Sequence, residues 1–365
     1  MSKTAPSPFQ VRYTPNVPEL LLQLQCTLIL STYQAGKLIC LSPKDANHLI
    51  QLPRNFEKPM GIALSEDQNT MALATKYAIT LFRDSPELAL HYPRKPSTYD
   101  AMYMPTVSYH TNALDIHDLE LVGDEIYGVN TLFSCIMKAS TKHTFEPVWQ
   151  PPFIDQIVSE DRCHLNGMAM ENGEVLYATT FNEGTTMRSW VQDLPHTGTL
   201  ISVPDNEVLS RDLAMPHSPI LVDGNLYLLE SALGTLVRVD RATGAHEVVN
   251  KVGGFVRGLA YYAGYFFIGH SRLRENSSTF GKLSIDQGDD LAGIKIVHAQ
   301  TGALVGQITY ESSVDEIYDV EILPKRIRPN ILSVEKEESK LGVTIPGSTF
   351  WARPENNMTN LQQKI

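Results

Sequence analysis

The stretch PHSPILVDGNLYLLESALGTLVRVD, residues 216–240, decides how the chain folds. A short apolar run, Pro219 to Val222, reaches an Asp223-Gly224-Asn225 turn, and a second run follows from Leu226 to Leu229. A polar turn from Glu230 to Gly234 leads to a third, alternating run from Thr235 to Val239. Arg241-Ala242-Thr243-Gly244 then turns the chain into Glu247-Val248-Val249. Short apolar runs bounded by Gly, Asn and Asp are antiparallel strands joined by tight turns. Four such strands make one small twisted sheet that cannot bury both faces alone, so it must stack on copies of itself.

Degenerate copies are present. Met60-Gly61-Ile62-Ala63-Leu64 runs on to Thr70–Thr75, and His117-Asp118-Leu119-Glu120-Leu121 crosses Gly123-Asp124 into Ile126–Asn130. Asn166-Gly167-Met168-Ala169-Met170 crosses Asn172-Gly173, and Arg257-Gly258-Leu259-Ala260-Tyr261 crosses Ala263-Gly264. The repeats start at 60, 117, 166, 217 and 257, a spacing that reads as β-propeller blades. Thr27 to Leu41 has the later strands of a blade without the first, and Tyr318 to Leu323 is a first strand without the rest. One sheet built from both ends closes the ring and removes two open edges. The expectation is an all-β, six-bladed β-propeller whose last blade joins N-terminal strands to a C-terminal innermost strand. Residues 1–332 would form this single domain and 333–365 a partly flexible extension, docked in part through Phe350 and Trp351.

The formal charge of −11 spreads without a long acidic run, and there is no basic stripe with interleaved aromatics. That argues against nucleic-acid partners. The N-terminal residues lack the apolar core of a signal peptide and no later run is long enough to span a membrane, so a cytoplasmic location is expected. Cys26, Cys40, Cys135 and Cys163 show no metal or redox spacing and read as reduced core thiols. Asn276-Ser277-Ser278 matches a glycosylation sequon, which carries little weight without secretion.

Four segments exceed what a propeller needs: Asp84 to Ile116, His143 to Leu165, Glu183 to Met215, and Arg272 to Leu291. The first three lead from one blade into the next and would crowd one mouth of the central channel. Aligned repeats stack their first residues around that mouth: Met60, His117, Asn166, His217, Arg257 and Tyr318. The next position adds Asp118 and Asp319, and the turns after second strands add Tyr33, Gln34, Asn130, Thr131, Asn182, Glu230, His270 and Arg272. Polar groups at this density suit a polar ligand or a metal. Each has an ordinary alternative, since a His at a strand start is often only hydrogen-bonded and Asp commonly ties adjacent loops. The coincidence across repeats favours a site. Its expected acid–base members are His117, Asp118, His217, Tyr318 and Asp319. Arg257, Asn166, Glu230, Arg272 and Asn130 would bind substrate. His117, His164, His217 and His270 fall one per blade and could ligate a metal; imidazoles favour a divalent transition ion over calcium. No HExxH, GxSxG, Walker or GxGxxG signature names a reaction.

The pattern of 226–244 resembles the six-bladed lactonase, gluconolactonase and strictosidine-synthase-like propellers. That resemblance implies hydrolase activity and a divalent cation at the top of the channel, with Asn166 and Asp319 as matching ligands. His117, His217 and Arg257 stand outside that pattern. Cys163-His164-Leu165-Asn166-Gly167-Met168-Ala169 and Met215-Pro216-His217-Ser218-Pro219 resemble, more closely, a bacterial family of propellers of unknown function. Three functions are compatible with these residues. The first is a hydrolase or lyase with a metal-assisted or His/Asp site for a small polar or anionic substrate. The second is a non-haem metal oxygenase, and the third a platform for a peptide or protein partner. A platform would present an open aromatic face, an enzyme a deep pocket capped by the insertions.

Overall fold

In the computed structural model, which describes residues 7–272 and 291–352, residues 216–251 form a four-stranded antiparallel sheet. Its strands are Pro216–Val222, Asn225–Glu230, Thr235–Val239 and His246–Lys251. Asp223 and Gly224 both have positive φ, 49° and 77°, the geometry of a type I′ hairpin turn. Six such sheets follow one another, so the protein is an all-β six-bladed propeller. Numbered in chain order, the innermost strands of blades 1 to 5 are Ile62–Leu64, Ile116–Val122, Gly167–Glu171, Pro216–Val222 and Phe255–Tyr262.

Blade 6 closes the ring. Its innermost strand, Asp319–Pro324, pairs with Cys26–Ser31, which pairs in turn with Lys37–Pro43 and then Leu49–Asn55. Every residue of Cys26–Ser31 is buried, as expected of a strand covered on both faces and both edges. The chain on either side of this closure clamps the neighbouring blades. Val11–Tyr13 adds a fifth strand to blade 5, and Pro329–Ile331 adds a parallel one to blade 1. The helix Val17–Leu24, absent from the all-β expectation, buries Val17 and Leu21 in the core shared by blades 5 and 6.

At the inner ends of the blades, Gly and polar residues alternate around the axis. Asp118 accepts the Met168 N–H at 2.9 Å, Asp319 accepts the Ile62 N–H at 2.8 Å, and the Gly258 N–H donates to Ser218 Oγ at 3.1 Å. Each bond joins one blade to the next. The intervening glycines are dictated by space: a Cβ at Gly61 would lie 2.9 Å from Asp118 Cα, and one at Gly258 2.8 Å from Asp319 Cα.

The expected crowding of the mouth by Asp84 to Ile116 is corrected by the strand count. That segment contains the helix Pro86–Leu90 and the fourth strand of blade 1, Ala101–His110. Its long connection therefore joins third and fourth strands, at the end opposite the mouth. The C-terminal hairpin, Gly342–Ile345 with Ser348–Trp351, docks there through the Trp351 indole N–H on the Leu88 carbonyl at 3.1 Å, whereas Phe350 is exposed. All four cysteines are free and buried, and burial pushes each thiol up to about 12, so none is a thiolate near neutral pH. No helix among the described residues is long and apolar enough to cross a membrane. The sequon at Asn276, most of the fourth insertion and the tail beyond 352 lie outside the described residues.

Candidate functional site

A cavity of about 390 Å³ opens at the channel mouth, within the size range of small-molecule sites. His117, His217, Arg257 and Tyr318, first positions of blades 2, 4, 5 and 6, form its floor and sides. The connection into blade 3 contributes Asp161 and His164. The long connection between the second and third strands of that blade contributes Arg188 and Trp190. Tyr33, Asp115, Asp161, His164 and Arg188, all lining residues, have positive φ. Non-glycine residues pay about 1 kcal/mol or more for that conformation, and such strain concentrates at functional sites.

Hydrogen bonds fix the tautomer of all three histidines. His117 Nδ1–H donates to the Asp115 carbonyl at 3.0 Å and to Thr131 Oγ1 at 2.7 Å, and the Thr131 hydroxyl proton is spent on the Leu165 carbonyl at 2.6 Å. His217 repeats the device two blades on, donating from Nδ1 to the Met215 carbonyl at 3.2 Å and to Ser231 Oγ at 2.6 Å. His164 Nδ1–H faces both oxygens of Asp161 at 3.2 Å. A neutral imidazole with its proton on Nδ1 presents a lone pair on Nε2, so each ring offers the cavity an acceptor. Burial holds His117 down to about 3 and, with the charge of Arg257, holds His217 well below the usual imidazole value. Both are neutral at physiological pH.

Aromatic rings hold the histidines in place. His164 lies 4.3 Å from Trp190 and 4.4 Å from Phe181, centroid to centroid, and meets His117 edge-on at 4.9 Å. Phe181 separates it from His217, at 5.1 Å. The Trp190 indole N–H donates to Asp161 Oδ2 at 3.0 Å, which anchors the carboxylate behind His164. Arg257 stacks on the Tyr318 ring at 3.3 Å and is 3.6 Å from Glu316. Arg188 and Arg272 also line the cavity. The Tyr318 hydroxyl is buried and finds no partner among the described residues.

Of the residues singled out from sequence, Tyr33, Gln34, His117, His164, His217, Arg257, Arg272 and Tyr318 line this cavity. The others do not, and alternation along a strand explains why. Neighbouring residues point to opposite faces, so Asp118 and Asp319 turn away from the side taken by His117 and Tyr318 and stitch blades together. Asn130, Glu230 and His270 share one repeat position and are turned inward and buried. Asn130 Oδ1 accepts the Phe133 N–H and Glu230 Oε1 the Ala214 N–H, each holding a turn. Asn166 Oδ1 accepts the Thr179 hydroxyl at 2.7 Å. Sequence reasoning missed Asp115, Phe255 and Glu316, although they were within reach of the alignment. All three, with His164, stand two residues before the first position of their blade and so share its face. Phe181 and Trp190 follow no repeat.

The divalent-cation site implied by the lactonase resemblance does not fit. Asp319 gives one oxygen to the Ile62 N–H and the other to the Val320 N–H, and the Asn166 oxygen is engaged by Thr179. Among the described residues, no group of three His, Cys, Asp or Glu side chains is disposed to hold a metal ion.

Along the innermost strands, Asp118 and Glu120 of blade 2 and Asp319 and Glu321 of blade 6 form an acidic set. Burial, then mutual repulsion, raises all but Asp319 (Glu120 to about 7), and burial alone raises Asp319 to about 6. The unfolded chain releases the Glu120 proton near 4.5, the folded chain near 7. The stability contributed by this group is thus present below about pH 4.5 and lost as pH rises to about 7. Glu120→Gln should match the wild type at pH 4.5 and be more stable at pH 8, by up to about 3 kcal/mol. Equal stability at both pH values would contradict the coupling.

A chain of a nidogen/laminin complex superposes with a TM-score of 0.53 at 13% identity, covering 82% of this chain and 99% of that one. A protein of unknown function from Bacteroides caccae gives 0.51 at 11% identity, covering 82% and 98%. These likenesses show the fold. A candidate 6-phosphogluconolactonase from Bacteroides uniformis ATCC 8492 gives 0.48 at 13% identity, covering 82% and 99%. No curated protein matches the sequence. The model of a domain of unknown function, DUF4915, matches residues 15–332, and the chain belongs to that family.

Proposed function

We propose that the cavity is an acid–base active site for a small anionic substrate, of hydrolase or lyase type. The observation that carries this reading is the His164–Asp161 pair. A carboxylate anchored by an indole N–H holds the imidazole with its proton on Nδ1 and its Nε2 lone pair toward the cavity. That is the arrangement of a general base with its orienting acid. Arg257, Arg272 and Arg188 supply the charge that draws and aligns an anion. A peptide platform is less well supported, because the cavity is lined by imidazoles and by Arg188 and Trp190 rather than being a flat open face. No step is routed through a metal.

The test is a turnover screen of small carboxylates, phosphate monoesters and their esters, with Arg257→Lys alongside the wild type. Turnover is expected for at least one class. KM should rise tenfold or more in the variant, which keeps the charge but loses the planar fork. Tight anion binding without any turnover would make the cavity a receptor site instead.

A further inference from the structure

We infer that the ligand of this cavity is a polyhydroxylated anion: a carboxylate or phosphate whose carbon skeleton carries at least two free hydroxyls. The inference rests on the anion-binding reading above and adds what the histidines require. His117, His164 and His217 each spend their N–H on the scaffold, at Thr131 and Asp115, at Asp161, and at Ser231 and Met215. None can donate to a ligand through Nε2 while neutral, so all three demand donors from it. A cavity with three acceptors and no ligand donors would leave them unpaired on desolvation, at a cost for each. Hydroxyls meet that demand without bringing positive charge.

Ammonium groups would meet it as well, but they call for an unpaired carboxylate. Asp161 is committed to His164 and Trp190, and Glu316 faces Arg257. Asp115 is half-exposed and stands 4.0 Å from His117 Nδ1. The lining also includes the aromatic side chains of Trp190, Phe181 and Phe255, which add apolar surface for the C–H side of a hydroxylated chain or ring.

Matched ligands test this on the unaltered protein by calorimetry. Galactarate and adipate are six-carbon dicarboxylates that differ only in four hydroxyls; glycerol 3-phosphate and propyl phosphate are the corresponding phosphate pair. The hydroxylated member of at least one pair should bind ten times more tightly or better, and the pair that shows it tells carboxylate from phosphate. Equal binding within both pairs overturns the inference and leaves the anion site standing. Glutamate binding more tightly than galactarate overturns it in favour of an ammonium ligand. No binding by any of these compounds overturns both readings. His217→Asn keeps a polar group where Nδ1 was and deletes Nε2, so the preference within the pair should fall to threefold or less. His217→Gln, which returns an acceptor near Nε2, should restore most of it. An undiminished preference in His217→Asn would remove His217 from the inference.

Discussion

The chain lacking residues 1–31 should fail to form a cooperative native state at 25 °C, whereas removal of residues 1–10 should shift the melting temperature by only a few degrees. The difference lies in what each deletion uncovers. The longer one removes Cys26–Ser31, the strand that joins the innermost strand Asp319–Pro324 to the rest of blade 6. It also removes Val17, Leu21, Cys26, Leu28, Ile29 and Leu30, all fully buried. At about 1.5–3 kcal/mol for each fully buried large apolar side chain, the loss is on the order of 10 kcal/mol. That is comparable to the whole stability of a typical domain, about 5–15 kcal/mol. A gap also opens two strand edges to intermolecular pairing, so aggregation should accompany the loss. The shorter deletion leaves the clamp strand Val11–Tyr13 and the helix in place. Circular dichroism and calorimetry on both truncations decide the matter. A 32–365 chain that melts like the full protein would refute closure by the N-terminal strands.

The blades were legible because their signals are local. Asp223-Gly224, Asn172-Gly173 and Ala263-Gly264 each place two successive residues at positive φ, and each stands between two apolar runs in the sequence. Closure was legible because Thr27–Leu41 lacks a first strand and Tyr318–Leu323 lacks the others. The site was legible only where the repeat itself delivers the side chain, as at His117, His217, Arg257 and Tyr318. The alignment placed Asp118 and Asp319 at the mouth because it ignored the alternation of a strand, under which adjacent residues cannot share a face. Trp190, Phe181 and Asp161 come from connections of irregular length. Their position depends on tertiary packing, the indole N–H on Asp161 above all, and no periodicity announces it. The helix Val17–Leu24 escaped because eight residues of mixed apolar and polar character beside strong strand signals give too short a window for a helical period.

Asp161→Asn should lower kcat by 10²–10⁴ on the substrate found by the turnover screen, with binding affinity within threefold of the wild type and melting temperature nearly unchanged. Three features separate these effects. First, the backbone at Asp161 has a positive φ, 46°, a conformation that Asn tolerates as well as Asp, so the substitution adds no strain. Second, the Trp190 indole N–H retains its acceptors, since the backbone carbonyl of residue 161 lies at 3.1 Å and an amide oxygen can replace the carboxylate oxygen. The loop therefore stays closed. Third, the amide cannot hold His164 as the carboxylate does. It removes the negative charge that supports an imidazolium, and an amide N–H turned toward Nδ1 would force the ring proton onto Nε2. In that tautomer the lone pair no longer faces the cavity and the base is gone. General acid–base groups contribute about 10²–10⁴ in rate, or roughly 3–5 kcal/mol at 1.36 kcal/mol per tenfold. The ligand contacts proposed for Arg257 do not involve Asp161, and a ligand hydroxyl that donates to the Nε2 lone pair can instead accept from Nε2–H, so affinity should be spared. A rival in which Asp161 only braces the Arg188–Trp190 loop predicts the opposite split: a lower melting temperature, weaker binding and kcat within about threefold once substrate is saturating. Steady-state kinetics with a thermal melt on the same preparation distinguishes the two. An Asn variant that turns over at near wild-type rate would take the His164–Asp161 pair out of the chemistry.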